Sequence, residues 1–321
     1  MTTAFVLNNE TILCHQTLEG WQPLQVVIPD IKLNSTAEAD IYQIGRVELL
    51  ASLAPNNWYP EDNVATEPTV ENNNLPATSA ITYHYARNNH IALPTITDDC
   101  EITATLSTLS NEAVNIAFIS YRQLITQLPV ALAAQISQAI QLLRWQADTQ
   151  FCSRCSAPVS TAKCGERAMV CQVCRLRQYP RVQPCVITAI TRPNPQTGEM
   201  QILLAHHHRY GQQSLPLQYG LIAGFVEVGE SLEHAVVREV GEEVGISLTN
   251  IRYVSSQPWP FPSNLMLGFR ASYAGGEIVI QEDELSHADF FDISNLPKIP
   301  FKGSIAYDLI AQIMNEQGMS L

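Results

Sequence analysis

Apolar positions in this chain follow two different periods. Between Ser120 and about Thr149, Leu124, Leu128 and Leu132 recur every fourth residue, and Ile136, Ile140 and Leu143 continue the stripe. That spacing predicts an amphipathic helix, and Pro129 should break it into two. From Pro184 onward, short apolar runs such as "PCVITAI" alternate with turn residues and read as strands. Within this part, Leu232, Val236 and Val240 mark the buried face of a helix. A last amphipathic helix follows a Ser304 cap, with Ile305, Leu309, Ile310 and Ile313 on its apolar side. Residues 1–54 carry "AFVL", "LQVVI" and "VELLASL", the strands and turns of a small domain, to which "ITYHYA" and "HIAL" return. Residues 55–90 are rich in Asn, Pro, Thr and Glu and read as a long, exposed, mobile insertion.

Composition narrows the class. The 321 residues are 46% hydrophobic and 15% charged, enough for two soluble units with their own cores. A net charge of −13 disfavours nonspecific binding to nucleic acid or anionic membranes, while allowing a locally basic pocket. No run approaches the roughly 18 apolar residues of a membrane-spanning helix. The start, "MTTAFVLNNETILCHQ", lacks a basic n-region and a sustained apolar core, so no signal peptide is expected and a cytoplasmic location is.

Five of the eight cysteines fall between positions 152 and 174. Cys152-x-x-Cys155 and Cys171-x-x-Cys174 are two knuckles separated by fifteen residues. Brought together by a hairpin, they present four thiolates to one structural zinc ion. The alternative is four unligated or redox-active thiols. Cys164 is surplus and reads as a free thiol on the hairpin; Cys185 lies in an apolar run and reads as a buried strand residue. A zinc ribbon by itself also raises a nucleic-acid adaptor. The cations around this one, Arg154, Lys163, Arg167, Arg175, Arg177 and Arg181, are accompanied by few aromatics, which argues against sequence reading.

The stretch "GFVEVGESLEHAVVREVGEEVGI", Gly224–Ile246, carries the strongest chemistry. A glycine-rich turn leads into the helix, whose polar face is expected to show Glu239, Glu242 and Glu243. Residues 239 and 243 are one turn apart, so their carboxylates project side by side. Acids so placed repel unless a cation sits among them, and a hard divalent ion takes oxygen ligands of this kind together with substrate phosphates. Arg238 is placed to orient one of them. An ordinary solvated acidic face is the competing reading. Upstream, His206, His207 and His208 would alternate faces on a strand, so they cannot converge on one ion and are expected to be exposed or close to substrate.

The spacing from Gly224 through Glu230 to Arg238-Glu239-Val240-Gly241-Glu242-Glu243 matches the Nudix box, and the stretch resembles Nudix hydrolases. With the ribbon, "YPR" (Tyr179–Arg181) and "SQPWPFP" (Ser256–Pro262), residues from about Phe151 to about Ala306 are similar to the NADH pyrophosphatase family of Nudix hydrolases. The resemblance implies an α/β chain: an N-terminal α+β domain (1–148), a zinc ribbon (149–180), and a Nudix fold with a mixed sheet between helices (181–321). It implies hydrolysis of the pyrophosphate of NADH or NAD+, with NAD-capped RNA as a related substrate, and a homodimer in which both subunits build one site. It also implies magnesium or manganese on the Ala223 carbonyl, Glu239, Glu243 and Glu284, with Glu282 and Asp283 competing for the last place. Glu243 matches the catalytic base, with Glu242 as alternative. Dinucleotide contacts fall on Glu166, Tyr179, Phe225, Gln257, Pro258, Trp259, Pro260, Phe261, Pro262, Ser263, Asn264 and Ala306, and on Arg122 across a gap. A catalytically silent ligand-sensing Nudix module and a zinc-ribbon adaptor are the alternative functions.

Overall fold

A computed structural model describes residues 2–8, 10–18, 20–23, 25–28, 41–49, 79–86, 115–162, 166–208 and 216–321. They form two compact units, Met1–Arg181 and Val182–Leu321. Most of the 55–90 insertion, the "HIAL" segment and Cys164 lie outside the described residues.

The first unit contains seven strands of one sheet: β1 (Thr2–Asn8), β2 (Thr11–Thr17), β3 (Gly20–Pro23), β4 (Gln25–Ile28), β5 (Ile41–Leu49), β6 (Ser79–Ala86) and β7 (Ile116–Ser120). The "ITYHYA" segment is part of β6. A short helix α1 (Tyr121–Leu124) follows, then α2 (Val130–Asp148), which begins directly after Pro129. The break falls there because proline lacks the N–H that a continuous helix would need. The predicted stripe residues Leu124, Leu128, Ile136 and Ile140 are buried. Strands β8 (Val159–Thr161), β9 (Met169–Cys171) and β10 (Arg177–Gln178) make a separate small sheet in the order β10-β9-β8.

The second unit is a six-stranded mixed sheet between two helices. Its elements are β11 (Gln183–Pro193), β12 (Met200–His207), β13 (Ile222–Phe225), α3 (Leu232–Val244), β14 (Ser247–Trp259), β15 (Asn264–Gly275), β16 (Leu285–Asp292) and α4 (Ile305–Glu316). The sheet runs β14-β15-β11-β12-β16 with β13 beside β11, and only β11–β15 is parallel among its described pairs. Neighbouring residues of β11 serve opposite faces, as the strand period requires. Val186 and Ile190 pack on the side of α3, with Val236, Val240 and Val244; Ile187 and Ala189 pack against Leu309, Ile310 and Ile313 of α4.

Local chemistry sets the helix ends. Ser231 accepts from the His234 N–H at 3.2 Å to start α3, and Ser304 accepts from Tyr307 N at 3.3 Å to start α4. Each such cap contributes about 1 kcal/mol. Gly245 ends α3 at φ 72°, a left-handed turn that glycine makes without a Cβ penalty. The proline-aromatic run is the tip of the β14–β15 hairpin, where Pro258 pairs with Leu265 and Trp259 with Asn264. Strand β14 is an edge of the sheet, the position where a strand tolerates proline. Among the described residues, no helix is long and apolar enough to cross a membrane.

Candidate active site

Strand register brings the box loop and the proline-aromatic strand to one level. Across β11, Cys185 lies opposite Phe225 on one side and Met266 on the other, and Met266 in turn faces Gln257. The next row reads Gly224, Val186, Leu267 and Ser256. Three strand spacings separate Phe225 from Gln257, roughly 14 Å. Segments thirty residues apart in sequence thus flank one end of the sheet.

Helix α3 packs its acids against this end. The Glu239 carboxylate rests on Gly224: a Cβ placed there would meet Glu239 Cδ at 1.9 Å. Only glycine allows that approach. Gly224→Ala should therefore displace the Glu239 side chain, and we expect roughly a hundredfold loss of turnover, comparable with misplacing a catalytic group by an ångström. The melting temperature should stay close to wild type, because the obstructing atoms end a flexible side chain. A variant with normal turnover would separate Glu239 placement from activity.

Arg238 organises the acids. It donates to both oxygens of Glu230 (2.9 and 2.8 Å), to Glu239 Oε1 (2.9 Å), to Glu242 Oε2 (3.0 Å) and to the Phe225 carbonyl (2.8 Å). Its guanidinium, with the Glu227 N–H, holds the Glu230 carboxyl down at about 2. Burial pushes Glu239 up; Arg238 opposes this, while the negative charges of Glu242 and Glu284 reinforce it. Glu284 stands in the loop before β16, with Glu282 and Asp283. That loop is tied to the helix by Gln281 N–H donating to Glu243 O at 2.9 Å. It is also tied to β12, through His208 N to Glu284 O (2.9 Å) and His208 Nε2 to Glu282 O (3.0 Å).

Two expectations need correction. Glu243 is not on the solvent face with Glu242: it is 1% exposed and lies among the buried residues of α3. Its charge has to be balanced by its surroundings, as for any buried carboxylate. His206 and His207 are also buried, and only His208 is exposed. Strand β12 lies between β11 and β16 with helices on both sheet faces, so alternation exposes neither side chain. His206 Nδ1 lies 2.7 Å from Gln218 O. Arg238 compensates two of the three acids, binding Glu239 and Glu242.

The cysteine pairs converge within the first unit. Cys152 and Cys174 sulfurs are 3.4 Å apart, Cys155 and Cys171 sulfurs 3.5 Å, and all four lie within 4.8 Å of one another. The two knuckles repeat one geometry. Ser156 (φ 58°) and Arg175 (φ 62°) each follow the second cysteine in the left-handed region, and each donates its N–H to the carbonyl of the first. Backbone N–H of Cys174 donates to Cys171 Sγ and brings that thiol down to about 6. At Cys155 the Ala157 N–H lowers the pKa, but the neighbouring sulfurs outweigh it and push the thiol up to about 12. Four sulfurs this close cannot all be thiolates without a cation, and the donor set is that of a closed tetrahedral site. Among the described residues, no other group of three or more His, Cys, Asp or Glu ligand atoms gathers in this way. Glu239 and Glu243 stand one turn apart on α3 and the charge of Glu284 reaches Glu239, but the three carboxylates form no cluster so tight.

The remaining expected residues fall as follows. On the ribbon, Tyr179 is exposed and donates to Glu166 Oε1 at 3.0 Å, while Arg177 pairs with the same carboxylate. Arg122 is exposed on α1. In the second unit, Phe225 is exposed, Pro260, Phe261 and Ala306 are buried, Trp259 is half-buried, and Pro258 and Pro262 are exposed. The Ser263 carbonyl accepts from Gln183 N at 2.9 Å. The Asn264 Oδ1 atom is buried with no hydrogen-bond partner among the described residues. Sequence reasoning missed Phe301, which stacks on Trp259; no motif or period marks it.

The fold and the box define a Nudix protein, and the NUDIX domain family matches residues 183–312. The chain is 46% identical over 193 residues to the NAD-capped RNA hydrolase NudC of Klebsiella pneumoniae (strain 342), covering 60% of this chain and 70% of that protein. It is 43% identical over 189 residues to the protein of the same name from Stutzerimonas stutzeri (strain A1501), covering 59% of this chain and 64% of that one. Among solved structures, a NUDIX hydrolase from Nitrosomonas europaea is similar over 53% of this chain and 94% of its own, with 21% identity and a TM-score of 0.42. The chain belongs to the NudC-like NADH pyrophosphatase family of Nudix hydrolases.

Proposed function

We propose that this protein hydrolyses the pyrophosphate bond of NADH and NAD+, giving reduced nicotinamide mononucleotide or NMN together with AMP, and removes NAD caps from RNA 5′ ends. The observation that carries this reading is the Glu239 carboxylate seated on Gly224, in the same strand row as Ser256 and one row from Gln257 of the proline-aromatic strand. The name NAD-capped RNA hydrolase carried by relatives at 46% and 43% identity supports it.

In this reading the Ala223 carbonyl, Glu239, Glu243 and Glu284 hold magnesium or manganese. The ion supplies neutralisation of the pyrophosphate charge and a more acidic water. The water oxygen forms a bond to one phosphorus, and the P–O bond to the bridging oxygen breaks. The electron pair of that bond leaves with the departing nucleotide phosphate. Glu243 takes the proton of the attacking water. Glu242 is the weaker candidate for base, because its side chain is 55% exposed and bound to Arg238. Arg238 keeps Glu239 oriented, and Phe225, next to Gly224 in the chain, offers an exposed ring. The cysteine cluster holds one structural zinc. A cytoplasmic homodimer without membrane association completes the reading.

Product analysis after incubation with NADH, NAD+ and NAD-capped RNA side by side, at saturating magnesium, tests it. Mononucleotide and AMP are expected from the free dinucleotides, and 5′-monophosphate RNA from the capped one. No cleavage of any of them would favour a ligand-sensing module instead.

A further inference from the structure

The aromatic side chains at the β14–β15 tip form a stair from core to surface. Phe261 is buried, and Trp259 packs edge-on against it with centroids 5.3 Å apart at 75°. Phe301, in the loop before α4, lies nearly parallel to Trp259 at 6.4 Å and 25°, and is 47% exposed. Both rings of the proline-aromatic run, Trp259 and Phe261, are thus engaged in packing. The outermost ring is backed by Trp259 and still accessible, which is the arrangement a flat base stacks on.

The loop carrying Phe301 is fixed at several points. Gln257 Nε2 donates to Gly303 O, and Gln257 Oε1 accepts from Ile305 N, both at 2.8 Å. Its amide is therefore spent on the loop. Ser304 Oγ donates to Phe301 O at 2.8 Å, and Lys298 O accepts from Tyr219 N at 2.8 Å. A ring held this way loses little freedom when a ligand meets it. Lys302, the next residue, is exposed. The chain has 18 Lys and Arg against 31 Asp and Glu, so a cation beside this ring runs against the overall charge and suits a phosphate.

We propose that Phe301 is a specificity-determining residue whose outer face stacks on one ring of the dinucleotide, and that Gln257 is the positioning residue that holds it there. This rests on the functional reading above and deepens it: the bond cut is set by the acids, and Phe301 adds to the proline-aromatic run a stacking ring from outside it. Gln257 acts through the loop.

Steady-state kinetics with NADH on Phe301→Ala, Phe301→Trp, Gln257→Ala and the double Ala variant test the assignment. Loss of one stacked base should raise the KM of Phe301→Ala about tenfold with kcat within about twofold, and Phe301→Trp should restore KM. Gln257→Ala should raise KM similarly, and the double variant no further than the larger single effect, as for two residues acting through one contact. Calorimetric binding of NADH in a Glu243→Gln background should show the same ratios without turnover. Melting curves confirm that each variant is folded. A wild-type KM in Phe301→Ala, or a rise that Phe301→Trp does not reverse, overturns the role of Phe301. Additive effects in the double variant overturn that of Gln257. If the wild type neither binds nor cleaves NADH, the functional reading itself falls; if it does both and Phe301→Ala matches it, only this inference falls.

Discussion

Replacing Glu243 by Gln is expected to lower NADH turnover by about a thousandfold or more while leaving the protein folded. The amide keeps the shape of the side chain but cannot accept the proton of the attacking water, a role worth roughly 10²–10⁴-fold by itself. It also removes one anionic ligand from the proposed divalent site, whose charge stabilisation is worth several kcal/mol more. Stability should not fall in step, because Glu243 is buried and an uncharged amide is cheaper to bury than a carboxylate. The same change at Glu242, which is exposed and held by Arg238, should cost far less activity. Turnover and thermal melting measured together decide the matter. A Glu243→Gln enzyme within tenfold of wild type at saturating magnesium would remove the metal-carboxylate mechanism.

The second large effect concerns stability. Cys152→Ser, or removal of the ion by a chelator, should unfold the ribbon around Cys152, Cys155, Cys171 and Cys174. The β8–β9–β10 sheet has strands of three, three and two residues, too little to fold without a cross-link. Structural zinc contributes about 10 kcal/mol or more in small metal-dependent domains. Even a loss of about 4 kcal/mol would lower a melting transition by roughly 10 °C. Zinc content and melting should therefore drop together, with the chemistry in the remaining folded fraction less affected. A folded, zinc-free Cys152→Ser protein with an unchanged melting curve would contradict the structural ion.

The box, the knuckles, the Pro129 break and the Ser304 cap were legible in the sequence because each is set by chemistry within a few residues. Glu243 shows where such reading goes astray. It lies three residues after Val240 and seven after Val236, on the apolar stripe by spacing alone. Its charge suggested the polar face, and the packing of α3 on the sheet put it inside. Alternation along a strand leaves the neighbouring histidines to be exposed or close to substrate; the helices over both faces of β12 bury His206 and His207. Gln257 belongs to the proline-aromatic motif, and what no motif shows is that its amide holds Gly303 and Ile305, more than forty residues away.

The sequence by itself determined the elements, the metal-type cysteine spacing, the acids and the family, since these depend on period, caps and local spacing. Only the tertiary structure decided that Glu239 rests on Gly224, that Glu284 lies within electrostatic reach of Glu239, and that Phe301 rather than Phe261 is the accessible ring. These depend on strand register and on which face each helix covers. Both are set by contacts between distant segments, and no local pattern encodes them.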